Sequence, residues 1–393
     1  MKVTIFLEHR FQQTPDGEYW AKNSFSYSFW KPYLEVFSQV NIVARVLSVD
    51  HPSEGYSISS GDNVSFSPIA YYKGPIQFLL KYQKIKRQVN EALINSHQVI
   101  LRVPTSGLSD LAFKVLHREN KDYSVEVVAD PFDVLSKGSI DSVFRRFYQK
   151  ILTNSLKQLC EKAKFASYVT EYSLQNRYPA TEAKFATWYS DVKIAENEIA
   201  PEPRSESHFS SKKQFVIISV GTMSHVLYKA QDVLIKALVI VLKTVPHCKL
   251  QLVGDGENIE NLKELAKELN VSDNVEFLGY VKSGEDVFRL LDKADLFVLP
   301  SRQEGLPRAM LEAFARALPC IGSTVGGFPE LLNSEYMVTP NDEKSLGQLM
   351  INVLSDPKKL SNMSANNLLK STKYSSSVFR KTRMDFYKRI AQG

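Results

Sequence analysis

Short apolar, β-branched runs recur along the chain at 3–7, 41–46, 98–103, 124–129 and 167–170, and again at 215–220, 249–253, 274–278, 295–299 and 320–323. Between them lie longer stretches in which apolar positions return every three or four residues. Continuous apolar runs suit strands covered on both faces, and the helical stretches suit right-handed crossovers of a parallel sheet. The pattern predicts an α/β protein of two doubly wound, Rossmann-like domains facing a cleft at the carboxyl ends of their strands, where ligands bind in such sheets. Residues 196–213, with Pro201, Pro203 and a cluster of Ser and charged side chains, break all periodicity and read as the linker. The predicted organisation is an acceptor-side domain over 1–195, a second domain over 214–373, and a terminal helix over 374–393 whose Phe379, Thr382, Phe386 and Ile390 form one stripe packing back on the first domain.

Length and composition agree with this picture: 393 residues, 44% hydrophobic and 23% charged, describe an ordinary globular chain with room for two cores. The net charge of +6 is spread evenly, with 24 basic and 21 acidic residues in 1–200 and 25 and 22 in 201–393. Such a weak field argues against nucleic acid as a partner. The stretch from Asp356 onward is strongly basic, with 9 Lys and Arg against 2 Asp, and its basic face is either solvated or a point of peripheral contact with an anionic membrane. Cys160, Cys248 and Cys320 are far apart and form no CxxC, which disfavours disulfides and thiolate metal sites. The run 3–7 is too short for a signal-peptide core, and 233–245 is interrupted by Lys236 and Lys243. The expected location is the cytoplasm, with peripheral attachment at the inner face of the membrane as the variant. No HxH, HExxH or Asp-x-Asp pattern suggests a metal, and no cofactor is expected.

The most informative chemistry lies in 301–332, SRQEGLPRAMLEAFARALPCIGSTVGGFPELL, directly after an apolar run. Glu304 falls in a strand-to-helix loop, Gly305 allows close backbone approach, and Pro307 suits the first helical position. Unpaired N–H groups at that helix start favour an anion such as a diphosphate. Glu312 sits among Ala309, Met310, Leu311, Ala313 and Phe314, so its carboxylate needs a partner, either sugar hydroxyls or Arg316 at i, i+4.

This segment resembles the donor-binding signature of the retaining glycosyltransferases of family 4, which have the two-domain B-type fold. Ser301, Glu304, Gly305, Pro307, Leu311, Glu312, Ala313, Val325, Gly326, Gly327, Pro329 and Glu330 carry the match. The resemblance implies that Glu304 and the backbone at Gly305 and Leu306 hold the donor sugar and that Glu312 receives the ribose hydroxyls. In 218–238 the family usually shows Gly-Arg and, about seven residues on, Lys-Gly, two cations for the diphosphate. Lys229 matches the second, whereas Thr222 stands for the Arg and Ala230 for the Gly. Arg302, Arg308 or a residue of the first half is then needed as replacement. The run 252–269 with Gly254, followed by Tyr280 and Val281, resembles the family's nucleotide-base wall, and a simple Gly-Asp-Gly turn is the alternative.

Before residue 200 the resemblance thins. The loop 8–25 has only Asp16-Gly17 for close approach to a ligand, so Gly17 is either a donor contact or a plain turn. Arg102 stands where many relatives place a His, and either contacts the donor or pairs with Asp130 or Glu126. Tyr19, Trp20, Phe25, Tyr27, Phe29 and Trp30 fill the core or stack on an acceptor sugar. The implied activity is metal-independent, retaining transfer of a hexose from a nucleoside-diphosphate sugar, UDP-sugar favoured, to a saccharide or lipid-linked saccharide in surface-polysaccharide assembly. Catalytic candidates are Glu304, Lys229 and Arg102. A nucleotide-sugar epimerase of the same fold and a non-catalytic sugar-nucleotide-binding subunit are the rival readings.

Overall fold

Every apolar run read from the sequence overlaps a strand in the computed structural model, which describes residues 1–22, 24–94, 96–103, 107–135, 145–282 and 284–393. The chain divides into two units, one of Met1–Pro131, Lys150–Tyr189 and Lys381–Gly393, the other of Phe132–Gln149 and Ser190–Arg380.

The first unit holds β1 (Lys2–Gln13), β2 (Tyr19–Lys22), β3 (Gln39–Ser48), β4 (Tyr56–Ile58), β5 (Val64–Ala70), β6 (Gln98–Val103), β7 (Ser124–Val127), β8 (Phe165–Tyr168) and β9 (Phe185–Trp188). A parallel array runs β5-β3-β1-β6-β7-β8-β9, and β2 and β4 add an antiparallel flap beside the end of β1. Helix Tyr82–Ile94 buries Ile85, Val89, Ala92 and Leu93, one stripe of helical period, against this sheet.

The region expected as a loop from residue 8 is instead strand as far as Gln13. The pairing of β1 with β3 shifts register between Phe6 and Arg10, a bulge that absorbs Leu7, Glu8 and His9 before Arg10 rejoins the ladder and Phe11 returns to the core. A run counted by apolarity stops at those charges, but the backbone ladder does not. β5 contains Pro68 and lies at the sheet edge, where the missing donor is tolerated.

The second unit holds β10 (Phe215–Val220), β11 (Cys248–Val253), β12 (Val275–Gly279), β13 (Leu296–Leu299), β14 (Cys320–Ser323) and β15 (Met337–Val338). All pairings are parallel, in the order β12-β11-β10-β13-β14-β15. The order reverses between β10 and β13, so the chain leaves these neighbours in opposite directions and opens a crevice at their carboxyl ends. Leu234, Leu238 and Val241 of helix Gln231–Leu242, with Leu346 and Met350 of helix Glu343–Leu354, belong to the core over this sheet.

Residues 196–213, read as a linker, pack on the second unit. The Arg204 guanidinium donates to the carbonyls of Ala294 and Leu291, and the Ala200 N–H to the Ala315 carbonyl, 2.7 Å. Backbone carbonyls satisfy this stretch, and no hydrophobic period announces them. The last helix, Ser376–Gln392, places Phe386, Tyr387 and Ile390 in buried positions of the first unit.

Candidate functional site

Lys229 and Glu304 meet at the point where the strand order of the second sheet reverses. After β10 the chain passes Gly221 and an irregular loop before helix Gln231–Leu242. A Cβ at Gly221 would lie 2.8 Å from Lys229 Cγ, so the glycine allows the lysine side chain to pass close over the strand end. Gln231, buried at the helix start, donates to the Thr222 carbonyl, 3.2 Å, and fixes the loop. Ala230, where the family pattern carries Gly, has φ 55°. The left-handed geometry a glycine would take without strain is thus kept by an alanine.

Glu304 follows β13 and is 7% exposed. Its Oε1 accepts from Ser301 Oγ at 2.8 Å and from Lys229 Nζ at 2.5 Å. Arg302 ties the same two loops together: its N–H reaches the Tyr228 carbonyl at 2.7 Å, and its guanidinium grips Asp232 with two bonds of 2.8 and 2.7 Å. Arg302 is therefore committed to holding the Lys229 loop and does not stand in for the missing phosphate cation. Arg308 is exposed at the start of helix Arg308–Ala315. That helix begins one residue later than expected, with Pro307 as its cap.

Behind Glu304 stands the loop after β14. A Cβ on Gly326 would lie 2.1 Å from the Glu304 carbonyl oxygen, and Gly326 has φ 55°. The Gly327 N–H donates to the Gly305 carbonyl at 2.7 Å. The paired glycines are needed because two backbones touch there. Leu306 is buried.

Glu312 is half-buried in helix Arg308–Ala315, and its carboxyl is pushed up to about 7 by burial, with Arg308 opposing and Glu198 reinforcing the shift. Arg316, the alternative partner weighed for it, instead pairs with Asp292 at 2.7 and 2.8 Å and donates to the Glu198 carbonyl. Glu198 has no sequence signal that would have placed it here.

Gly254 follows β11 with φ 140°, and a Cβ there would lie 2.0 Å from the Gly221 carbonyl. Its N–H donates to the Gly279 carbonyl at 2.8 Å, bringing the ends of β10, β11 and β12 together. Tyr280, next in the chain, is 77% exposed, and Val281 is partly exposed. Thr222 is exposed on the loop beside Gly221. The second unit thus carries Lys229, Glu304, Gly305, Leu306, Thr222, Gly254, Tyr280 and Val281 on the loops that follow β10, β11, β12 and β13.

The two candidates of the first unit have other surroundings. Gly17 lies in the turn between β1 and β2, with φ 87°, its N–H on the Thr14 carbonyl and open space around its α-carbon. Arg102 is buried, donates to Glu126 Oε2 at 2.6 Å and lies over the Phe29 ring at 5.0 Å. Among the alternatives weighed for Arg102, the ion pair with Glu126 is formed. Trp30 and Phe25 likewise stack within the fold.

Comparison with known proteins bears on what this arrangement does. Residues 202–369 match the family model described as glycosyl transferases group 1. The chain is 29% identical over 402 residues to Protein CapJ of Staphylococcus aureus, spanning 100% of this chain and 99% of that one. It is 37% identical over 146 residues, 35% of this chain and 38% of the other, to the GDP-mannose-dependent monoacylated alpha-(1-6)-phosphatidylinositol monomannoside mannosyltransferase of Corynebacterium glutamicum. Among solved structures, HepE of Anabaena in complex with UDP and glucose superposes with a TM-score of 0.61 at 15% identity, covering 100% of this chain and 98% of HepE.

Proposed function

We propose that this chain is a glycosyltransferase of family 4 with the two-domain B-type fold, and that it transfers a hexose, with retention of configuration, from a nucleoside-diphosphate sugar to a saccharide or lipid-linked saccharide in surface-polysaccharide assembly. The observation that carries the reading is the Lys229–Glu304 pair at the switch point. A cation beside a carboxylate, between loops that also expose helix-start N–H groups, suits a ligand with a diphosphate on one side and sugar hydroxyls on the other. Lys229 stabilises the departing diphosphate, Glu304 orients the transferred sugar, and Glu312 accepts hydroxyls of the nucleoside ribose. Tyr280 and Val281 line the base. Catalysis is then positional and electrostatic, and the leaving diphosphate takes the acceptor proton on the face it departs from.

UDP-sugars are the first donors to try because HepE was solved with UDP and glucose, and GDP-mannose is the comparison because the Corynebacterium relative depends on it. The test is release of nucleoside diphosphate by the purified chain across UDP- and GDP-sugars, with and without a saccharide acceptor. Release that requires the acceptor supports transfer, whereas donor interconversion without acceptor would replace it with epimerase chemistry. A product of inverted anomeric configuration would overturn retention.

A further inference from the structure

In the first unit, helix Gly74–Leu80 follows β5 and precedes helix Tyr82–Ile94. Phe78 is its inward anchor: it packs edge-on to Tyr72 at 5.2 Å and to Tyr82 at 6.0 Å, and a Cβ on Gly107 would lie 2.2 Å from its ring. With Phe78 held inside, Ile76, Leu79 and Leu80 share the outer face at i, i+3 and i+4. They are 73, 68 and 81% exposed.

An apolar face turned to water is the reverse of what a surface helix presents. Its flanks carry a matching charge. Residues 73–87 contain Lys73, Lys81, Lys84, Lys86 and Arg87 and no acidic residue. Lys73, Lys81, Lys84 and Arg87 are exposed. Exposed aliphatic side chains flanked in the chain by exposed basic residues combine the two forces that hold a protein at an anionic lipid surface, burial among acyl chains and attraction to headgroups.

We infer that helix Gly74–Leu80, with the basic start of helix Tyr82–Ile94, docks this chain on an anionic membrane. The last helix offers no such face. Its Phe379, Phe386, Tyr387 and Ile390 are buried, and Arg383 and Arg389 lie over the Tyr189 and Phe185 rings at 4.9 and 4.1 Å. Docking is a property of this surface and holds whichever donor the second unit uses.

Co-sedimentation of the full chain with vesicles of phosphatidylcholine mixed with phosphatidylglycerol tests this. Binding should fall at least about tenfold on pure phosphatidylcholine and weaken as salt rises. The variant Ile76→Ser/Leu79→Ser/Leu80→Ser should lose at least about tenfold in binding to the mixed vesicles, since it removes the inserting groups. It should keep the wild-type thermal midpoint and its turnover on a water-soluble acceptor. Absence of wild-type binding to anionic vesicles would overturn the inference, as would a triple variant that binds as well as wild type. Loss that follows Lys381→Ala/Lys388→Ala instead would move the contact to the last helix. A wild type that self-associates without binding vesicles, and a triple variant that is monomeric, would make the patch an interface between copies.

Discussion

Lys229 and Glu304 are 75 residues apart in the chain and 2.5 Å apart in the fold. As the preorganised cation and sugar ligand of the proposed reaction, each should matter at the reacting centre: Lys229→Ala and Glu304→Ala are expected to lower turnover at saturating donor at least about a hundredfold with far-UV circular dichroism unchanged. Near-wild-type turnover in either would remove that residue from the mechanism. Because the positive charge comes from Lys229, excess chelator should leave turnover intact. Glu312 allows a sharper test. Its folded-state pKa, about 7 against an ordinary 4.5, means that the folded chain holds the extra proton between those values, so stability falls as pH rises through that window and the full penalty is present above it. In the proposed reading the ribose hydroxyls hydrogen-bond this carboxylate and relieve the penalty, so donor affinity should rise between about pH 6 and about pH 8. Calorimetry on Glu312→Gln should show that rise abolished; an unchanged slope would assign it to another group.

At the scale of elements, the site is held by backbones that touch. The loop after β14 presses Gly326 against the carbonyl of Glu304 at a distance no Cβ tolerates. Gly326→Ala should therefore displace the Glu304 loop, with a stability loss of about 2 kcal/mol or more and at least about a tenfold fall in turnover. Gly17→Ala is the contrast. Its positive φ is strained for alanine, but nothing lies near its α-carbon, so a loss of about 1 kcal/mol with turnover intact is expected. Equal effects of the two substitutions on turnover would show that the β14 loop does not set Glu304. Arg302 belongs to the same scale, because its bidentate grip on Asp232 joins the two loops that carry Lys229 and Glu304.

For the whole molecule, the decisive group is Glu126. Its buried carboxylate accepts from Arg102 at 2.6 Å, Tyr33 at 2.7 Å, Tyr189 at 2.8 Å and, from the last helix, Tyr387 at 3.0 Å. The C-terminal segment is thereby fastened to the core of the first unit. Removing the cation that donates to Glu126 leaves its buried charge on the tyrosine hydroxyls, so Arg102→Ala should cost the first unit about 3 kcal/mol in urea unfolding. Thr222→Arg, placed on an exposed loop of the other unit, should not restore that loss. Restoration of both donor affinity and turnover by Thr222→Arg would instead return Arg102 to the donor site. Tyr387→Phe removes one neutral donor and should cost about 1 kcal/mol while making the last helix easier to cleave by protease.

By itself the sequence determined the alternation of strand and helix and the doubly wound class, because apolar period is a local signal, whereas Lys229 and the segment 301–332 stood out through their resemblance to a family signature. It also placed the buried stripe of the last helix, since Phe379, Phe386 and Ile390 repeat with helical period. Partners of long charged side chains were decided only by the tertiary structure. Arg102, Arg302 and Arg316 each had several acceptors or roles within reach of a sequence argument, and what each does depends on strands and loops that meet only after the sheets form: Arg102 on Glu126, Arg302 on Asp232, Arg316 on Asp292. The same holds where a pattern breaks. β1 continues past Glu8 and His9 because β3 resumes the ladder at Arg10, and 196–213 is fixed by carbonyls of distant helices. Periodicity records which side chains leave water, whereas hydrogen-bond partners follow from which backbones end up side by side.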